Sequence, residues 1–226
     1  SRTAVVSIFL FILLAAALMI FQEATAGGRE EGGPVVIRNV RLFDGERIVQ
    51  KTNVVFAGGR VTATGPKAAV PTGAEVIDGT GKTLLPGLID AHVHIITAET
   101  LSQSLVFGVT AVIDMFTSAD LMKALKADQA AGRAAGRAFF VSPGILATAP
   151  GGHGTQFGIP IPTLRGPADA RGFVDDRVAD GSDFIKIILD DGSAYSFSRP
   201  TLDMATVSAL IAAAHAGCYS MALANM

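Results

Sequence analysis

The sequence predicts an α/β fold in which a small strand-rich segment precedes alternating strands and helices. Two observations carry this prediction. Short apolar runs separated by glycine turns fill residues 35–85, and from Leu88 onward runs of strand length alternate with helical stretches. Strands that alternate with helices form parallel β-α-β units, and such units build either an open sheet or a closed barrel. The pattern alone leaves that choice open.

The strand-rich segment is divided by its turn residues. Asp44-Gly45 ends the first strand, and Gly58-Gly59 separates the next two. The predicted strands are Val35–Phe43, Asn53–Ala57, Arg60–Thr64, Glu75–Asp78 and Lys82–Leu85. Short strands at this spacing predict a small β-sandwich or a single sheet.

The alternating segment begins with a strand that carries His92 and His94. Ser118 is a candidate N-cap for the second helix, and residues 143–166 form a long loop rich in glycine, proline and threonine. The later strands are Thr110–Met115, Arg137–Ser142, Phe184–Leu189 and the start of a fifth at Ser220–Ala224; the helices are Glu99–Phe107, Ala119–Ala131, Pro167–Ala179 and Leu202–Ala216.

His92 and His94 follow Pro86-Gly87 in a short apolar run that predicts a buried strand. Side chains alternate along a strand, so the two imidazoles point to the same side and form half of a metal site. Two core or surface histidines that happen to alternate would be the alternative. Asp90 shares their face and is a candidate for packing at the strand end or for holding an imidazole.

The stretch from Pro86 to His94, Pro-Gly-Leu-Ile-Asp-Ala-His-Val-His, resembles the first metal-binding strand of the amidohydrolase superfamily. That resemblance implies a (β/α)8 barrel beside a β-sandwich, and hydrolysis of a C–N bond in an amide, cyclic amide or dipeptide by a metal-activated water. It implies up to two divalent ions, with zinc expected, and His92 and His94 as metal ligands. A full barrel needs about 250 residues. Residues 86–226 offer room for four units and part of a fifth, so we expect an incomplete chain.

Lys186 lies between isoleucines in the fourth predicted strand, where an unpaired ammonium group is costly. It could pair with a carboxylate such as Asp190. The resemblance implies the alternative that we favour, in which the amine carries CO2 as a carbamate that bridges two metals.

His153 lies in the loop Gly151-Gly152-His153-Gly154 after the third predicted strand. The loop resembles that of the imidazolonepropionase-like and metal-dependent Xaa-Pro dipeptidase branch, which makes His153 a candidate substrate contact. The alternative is a solvent-exposed loop histidine. His215, in an apolar helix, is interpreted as structural.

The sequence departs from the family pattern near its end. The resemblance implies a metal-ligand histidine after the fifth strand, but Asn225 stands there. The general-base Asp that would serve the water is expected beyond Met226. We therefore expect no catalytic residue of that kind within this chain, and no turnover by the chain alone.

The amino terminus predicts export. Arg2 precedes an apolar run from Ala4 to Phe21, and Ala24-Thr25-Ala26 follows as a small-x-small cleavage site. We expect a signal peptide over residues 1–26, a linker over 27–34, and a periplasmic or secreted protein. An uncleaved membrane anchor is the alternative, because about 20 apolar residues span a bilayer.

Composition narrows the remaining classes. The net charge of −2 gives no electrostatic case for a nucleic-acid partner, and the single cysteine, Cys218, excludes an internal disulfide framework. A small-molecule or dipeptide substrate is the expected partner. A non-catalytic secreted domain that keeps the fold, and a membrane-anchored interaction module, stay open as alternatives.

Overall fold

A computed structural model describes the backbone of residues 33–224 and the side chains of residues 33–216. It divides into two compact units, Ser1–Pro86 and Gly87–Met226. The predicted signal peptide, the linker up to residue 32, and Asn225 lie outside the described residues.

The described residues of the first unit form one mixed sheet of five strands. These are β1 (Val35–Phe43), β2 (Ile48–Ala57), β3 (Arg60–Gly65), β4 (Glu75–Asp78) and β5 (Thr83–Leu84). β2 lies between β3 and β1 with antiparallel pairing, while β4 and β5 pair with β1 in parallel. Gly58 and Gly59, both at positive φ, form the predicted tight turn between β2 and β3.

Four valines of β1 and β2 form the apolar centre of this sheet. Val36, Val40, Val54 and Val55 are each at most 2% exposed. The positions of the predicted strands are confirmed. The described residues of this unit pair in a single sheet, so the predicted β-sandwich is not confirmed.

The described residues of the second unit form three parallel strands in the order β6-β7-β8 and four α-helices. The strands are β6 (Leu88–Val93), β7 (Val109–Asp114) and β8 (Phe139–Val141); the helices are α1 (Ala98–Val106), α2 (Ala119–Ala130), α3 (Ala170–Asp180) and α4 (Met204–Ala224). The alternation predicted from the sequence is confirmed as far as β8. Ser118 is the N-cap of α2, as predicted, and its side chain accepts a hydrogen bond from the Leu121 N–H.

Two of the three apolar clusters in the described part of this unit pack its helices. The first joins α1 and α2 to the sheet and centres on Leu101, Val112, Met122, Leu125 and Phe140. The second packs α3 against α4 and includes Leu164, Phe173, Val174, Val207 and Leu210. Together these clusters fix the helices around the strand ends that carry the candidate site.

The prediction that the histidine strand is buried is wrong. β6 pairs with β7 on one side and lies at the edge of its sheet in the described part of the chain. Leu88 and Ile89 are 58% and 66% exposed. An apolar run predicts a strand correctly, but its burial depends on neighbours that the run does not specify.

The fourth predicted strand forms only as an isolated parallel bridge between Ala147 and Ile187. Two backbone hydrogen bonds hold it, from Ala147 N to Lys186 O (2.8 Å) and from Ile188 N to Ala147 O (3.0 Å). Pro143 lacks an N–H, and Gly144 has a positive φ, so the ladder is interrupted after β8. Lys186 is half-buried rather than buried.

The predicted fifth strand at Ser220–Ala224 is also wrong, because α4 continues as a helix through Ala224. This stretch is rich in alanine and straight-chain residues, which favour helix over strand. None of the helices within residues 33–224 is long and apolar enough to cross a membrane.

Candidate metal centre

His92 lies close to the carboxyl end of β6, and His94 is the first residue after this strand. Their ring centroids are 5.7 Å apart, and the ring planes meet at 71°. Both side chains line the same cleft, as the alternation predicts. Both histidines are exposed, so they are accessible to an ion from solvent.

The ring of His94 is held by a backbone carbonyl. Its Nδ1 lies 3.3 Å from the carbonyl oxygen of Phe116. A hydrogen on Nδ1 donates to that oxygen, and the Nε2 lone pair is then free for a metal. Metal-ligating histidines are commonly fixed in this way, because a hydrogen bond from one ring nitrogen selects the tautomer that binds through the other.

Asp90 contacts the backbone rather than an imidazole. Its Oδ1 accepts a hydrogen bond from the His92 N–H at 3.1 Å. The carboxylate is exposed and stabilises the strand end at the histidine pair. This differs from both sequence-based roles, packing and imidazole holding.

A cleft of about 700 Å³ brings the predicted site residues together. His92, His94, His153 and Lys186 all line it, together with Asp190 and Tyr195. Predicted site residues as distant in sequence as His92 and Lys186, which are 94 positions apart, thus share one space. Neutral imidazoles and a carbamylated lysine would suit a divalent ion such as zinc.

The donor set of the described residues is incomplete for a closed metal site. Within residues 33–216, no group of three or more His, Cys, Asp or Glu side chains is placed to hold one ion. His92 and His94 therefore fit as two ligands of a metal whose further ligands include other groups. Lys186, which lines the same cleft, is a candidate for one of these further ligands.

His153 is fixed by a carboxylate from a distant segment of sequence that also lines the cleft. Its Nδ1 lies 2.7 Å from Asp190 Oδ2, and Arg199 Nη1 lies 3.5 Å from the same oxygen. The His153 hydrogen bond, the Gly192 N–H and the nearby charges lower the pKa of Asp190. His153 is thus a positioned side chain and not a freely rotating loop residue, although it is partly exposed.

This network also decides the pairing of Asp190. The structure shows Asp190 bound to His153 and Arg199, and not to Lys186 as one sequence-based alternative held. Lys186 is consequently available to the cleft. His215 lies on α4, is exposed, and does not line this cleft.

Asp114 was missed by the sequence interpretation. It ends β7 and is fully buried, with Oδ1 accepting from the Ile95 N–H (2.9 Å) and Oδ2 accepting from Ser142 Oγ (2.6 Å). Burial raises the pKa of this carboxyl group, although these hydrogen bonds oppose the shift. Asp114 locks the backbone immediately after His94. An acidic residue in the apolar run Ala111-Val-Ile-Asp114 was the available signal.

The sequence and the structure of this chain are similar to parts of known proteins. No family model matches the sequence. A dihydroorotase of Mycobacterium tuberculosis is 44% identical over 62 residues, which are 27% of this chain and 14% of that protein. An adenine deaminase of Mesorhizobium japonicum is 44% identical over 66 residues, or 27% of this chain and 11% of the relative.

Solved structures match over a greater length. A putative prolidase from Bifidobacterium longum has a TM-score of 0.69 and 25% identity, covering 82% of this chain and 47% of that one. A Xaa-Pro dipeptidase with bound methionine has a TM-score of 0.63 and 21% identity, covering 81% and 54%. The chain matches the amino-terminal portion of amidohydrolase-superfamily proteins. The resemblance seen in the histidine strand is confirmed.

The amidohydrolase match is partial in length. The chain spans about half the length of these solved structures, and its alignments cover less than a fifth of the curated relatives named above. It shares an α/β architecture with the solved amidohydrolases over four-fifths of its residues.

Proposed function

We propose that the cleft is part of a metal-dependent amidohydrolase centre that hydrolyses a C–N bond in an amide, cyclic amide or dipeptide. The placement of His92 and His94 carries this proposal. Both rings enter the cleft that Lys186 and His153 also line, and His94 is fixed through Nδ1 so that Nε2 remains for a metal. The C–N hydrolases among the relatives support the reaction class.

The residues that would hold the metal are His92, His94 and Lys186, the last as a carbamate. A bound divalent ion, with zinc expected, supplies Lewis-acid polarisation of a carbonyl and activation of a water. The Phe116 carbonyl keeps the His94 tautomer that binding requires.

His153 and Asp190 would act on the substrate. With Nδ1–H donated to Asp190, the Nε2 atom of His153 is left as the acceptor or, when protonated, the second donor. Gly152 and Gly154 flank this histidine, and a Cβ at either position would press against protein atoms, so the two glycines let the loop pack closely and fix the position of His153. His153 would thus orient a polar group of the substrate at the cleft.

The three parallel strands and the Ala147–Ile187 bridge would be the first strands of a (β/α)8 barrel. The likeness to solved amidohydrolases over four-fifths of the chain supports this. Within residues 33–216, no group of three or more His, Cys, Asp or Glu side chains is placed to hold an ion, so we propose that these residues alone do not turn over a substrate. Hydrolysis of a dipeptide or cyclic amide by the purified, zinc-loaded chain would overturn that proposal.

Bicarbonate dependence of metal affinity tests the role of Lys186. Zinc affinity is measured by competition with a chromophoric chelator, in buffer freed of CO2 and in buffer with added bicarbonate. The wild-type chain should bind zinc more tightly with bicarbonate, because the carbamate adds an anionic oxygen ligand. Lys186→Ala should abolish the difference, whereas Lys67→Ala, an exposed lysine of the first unit, should retain it.

Two results would count against the carbamate. Zinc affinity that is indifferent to bicarbonate in the wild-type chain would remove it from the site. A bicarbonate effect that persists in Lys186→Ala would assign the effect to another group. Absence of bound metal by elemental analysis of the purified protein would favour the non-catalytic alternative instead.

We also propose that the protein is exported after cleavage near Ala26. The basic start, apolar run and small residues at 24–26 support this proposal. Intact mass spectrometry of protein recovered from the native cells should show residues 1–26 removed. A membrane-fraction protein that retains them would favour the anchored alternative.

A further inference from the structure

A second pocket, of about 430 Å³, adjoins the cleft. The two spaces share His94, Phe116 and Phe157 as common wall residues. The second pocket therefore opens directly beside the proposed metal ligand. A molecule that reacts at the cleft could extend one end into it.

The wall of this pocket is mainly hydrocarbon. It is built from Ile96, Phe116, Leu121, Phe157 and Ile159. Three of these residues are largely exposed to solvent: Ile96 is 78%, Phe157 57% and Ile159 43% exposed. Exposed apolar side chains grouped on a concave surface mark a ligand site, because burying them gains free energy that folding has left unused.

Apart from the His94 ring, the polar side chains on the wall already have hydrogen-bond partners. Thr117 is 5% exposed; its Oγ1 donates to the Ile95 carbonyl at 2.7 Å, and its N–H donates to Gly144 O at 3.1 Å. Ser118 Oγ accepts from the Leu121 N–H at 3.3 Å. A polar ligand group would lose its water and gain few partners here, so the pocket selects against it.

A line of rings joins the pocket to the histidine pair. Ring-centroid distances are 6.1 Å from His153 to Phe157, 6.5 Å from Phe157 to Phe116, and 6.4 Å from Phe116 to His94. These separations lie in the range of favourable aromatic contacts, so the rings form a firm wall. A planar or branched apolar group of a ligand would lie against this wall with its other end near His94 and His153.

From this arrangement, we propose that the substrate carries an aromatic or branched aliphatic group beside the bond to be cleaved, and that the second pocket binds it. Phe157 and Ile159 are the residues that determine this specificity. That the bound molecule is a substrate rests on the proposed function. The binding preference of the pocket does not, and it can be measured without metal or turnover.

Two amides of similar size serve as probes: N-acetyl-phenylalaninamide and N-acetyl-glutaminamide. Their affinities for the full chain are measured by NMR titration in the absence of metal. The phenylalanine amide should bind about tenfold more tightly than the glutamine amide, a ratio that corresponds to about 1.4 kcal/mol. Phe157→Ala should reduce that preference to about twofold or less, because most of the ring contact is removed.

Control variants keep the result specific. Ile159→Gln should also remove most of the preference, whereas Phe107→Ala should leave it unchanged, since Phe107 is 80% exposed and lines neither space. Phe157 and Ile159 are exposed enough that both variants should fold, and circular dichroism checks this. Equal affinity for the two amides, no binding of either, or a preference that survives Phe157→Ala would overturn the inference.

A parallel zinc titration separates this inference from the proposed function. Zinc binding without an amide preference would overturn the apolar pocket alone. An amide preference without zinc binding would support the pocket and count against the metal centre. Light scattering tests whether a second copy of the chain fills the pocket. A wild-type dimer that Phe157→Ala converts to a monomer would show that it does, and would overturn the inference.

Discussion

Asp190 Oδ2 lies 2.7 Å from Nδ1 of His153, across 37 positions of sequence. This contact joins the glycine-flanked loop to the segment after the fourth predicted strand. Asp190→Ala should release the imidazole and allow the tautomer with hydrogen on Nε2. The ¹⁵N chemical shifts of the His153 ring should then move toward those of that tautomer, while the wild type keeps Nδ1–H.

Asp191→Ala is the matched control for that change. The neighbouring carboxylate bonds to the Ser193 N–H and is exposed. Its removal should leave the His153 shifts as they are in the wild type. Identical ring shifts in Asp190→Ala and the wild type would show that Asp190 does not position His153.

The loop that carries His153 requires a glycine at 152. A Cβ there would lie 2.9 Å from both Ala149 O and Pro200 O, which are backbone atoms and cannot move aside cheaply. Gly152→Ala should lower the free energy of unfolding by about 1–3 kcal/mol and weaken the His153–Asp190 contact. Denaturant unfolding measures the first effect and the ¹⁵N shifts measure the second.

Gly172→Ala is the comparison for the loop glycine. A Cβ at this exposed position of α3 meets nothing within 4 Å. It should stabilise the protein by about 0.5–1 kcal/mol, because alanine favours the helix. If Gly152→Ala lowered the free energy of unfolding no more than Gly172→Ala does, the close backbone contact inferred at Gly152 would be contradicted.

Asp114 should be required for stability at the end of β7. Asp114→Ala leaves the Ile95 N–H and the Ser142 hydroxyl buried without their acceptor, at a cost of about 1–3 kcal/mol for each group. Asp114→Asn keeps an acceptor for Ile95 and should cost less. Equal free energies of unfolding for the two variants would contradict this role.

The pKa of Asp114 also gives the sign of a pH effect. Because burial raises it above the ordinary value of 3.8, this group favours the folded state most below pH 3.8, and that contribution is lost as the pH rises through the raised folded pKa. Asp114→Asn should remove this dependence. A stability difference between variant and wild type that is constant across that pH range would contradict the shift.

Asp180 should show the opposite sign. Burial acts to raise its pKa, but hydrogen bonds from Lys123 and Arg177, both 2.6 Å, outweigh burial and lower it. Its stabilising contribution is present above pH 3.8 and is lost as the pH falls through the lowered folded pKa. Asp180→Ala should cost about 1–3 kcal/mol at pH 7 and less near pH 2, as measured by urea unfolding.

The exposed pair of Arg171 and Asp175 provides the control for Asp180. Both side chains are more than half exposed, so Asp175→Ala should change stability by about 0.5 kcal/mol or less. Removing Asp180 costs more because Arg177 is buried over Phe173 and would lose a partner. Equal changes in the free energy of unfolding for the two substitutions would show that the ion pairs of Asp180 contribute no more stability than an exposed pair.

Local patterns in the sequence predict the parts of the fold that depend on neighbouring residues. Ser118 caps α2 as its hydroxyl and position indicate, and the Gly58-Gly59 turn forms because glycine accepts positive φ. Period-two alternation places His92 and His94 in one cleft. These features need only a few adjacent residues to specify them.

Features that depend on distant partners could not be predicted in the same way. The exposure of β6 follows from its place at a sheet edge, and the single bridge at Ile187 follows from the interruption at Pro143-Gly144. The pairing of Asp190 with His153 instead of Lys186 depends on where two loops meet. The expectation that Lys186 and the histidines share one site came from the family resemblance. The hydrophobic periodicity of the sequence does not predict it.

Zinc binding by His92 and His94 tests the central claim most directly. Titration of the wild-type chain against a chromophoric zinc chelator is compared with His92→Asn, His94→Asn and His215→Asn, the last an exposed histidine outside the cleft. We predict that each cleft variant weakens zinc binding at least about tenfold, in line with loss of an imidazole ligand, and that His215→Asn binds as the wild type does. Equal zinc affinity in all four proteins would contradict the account.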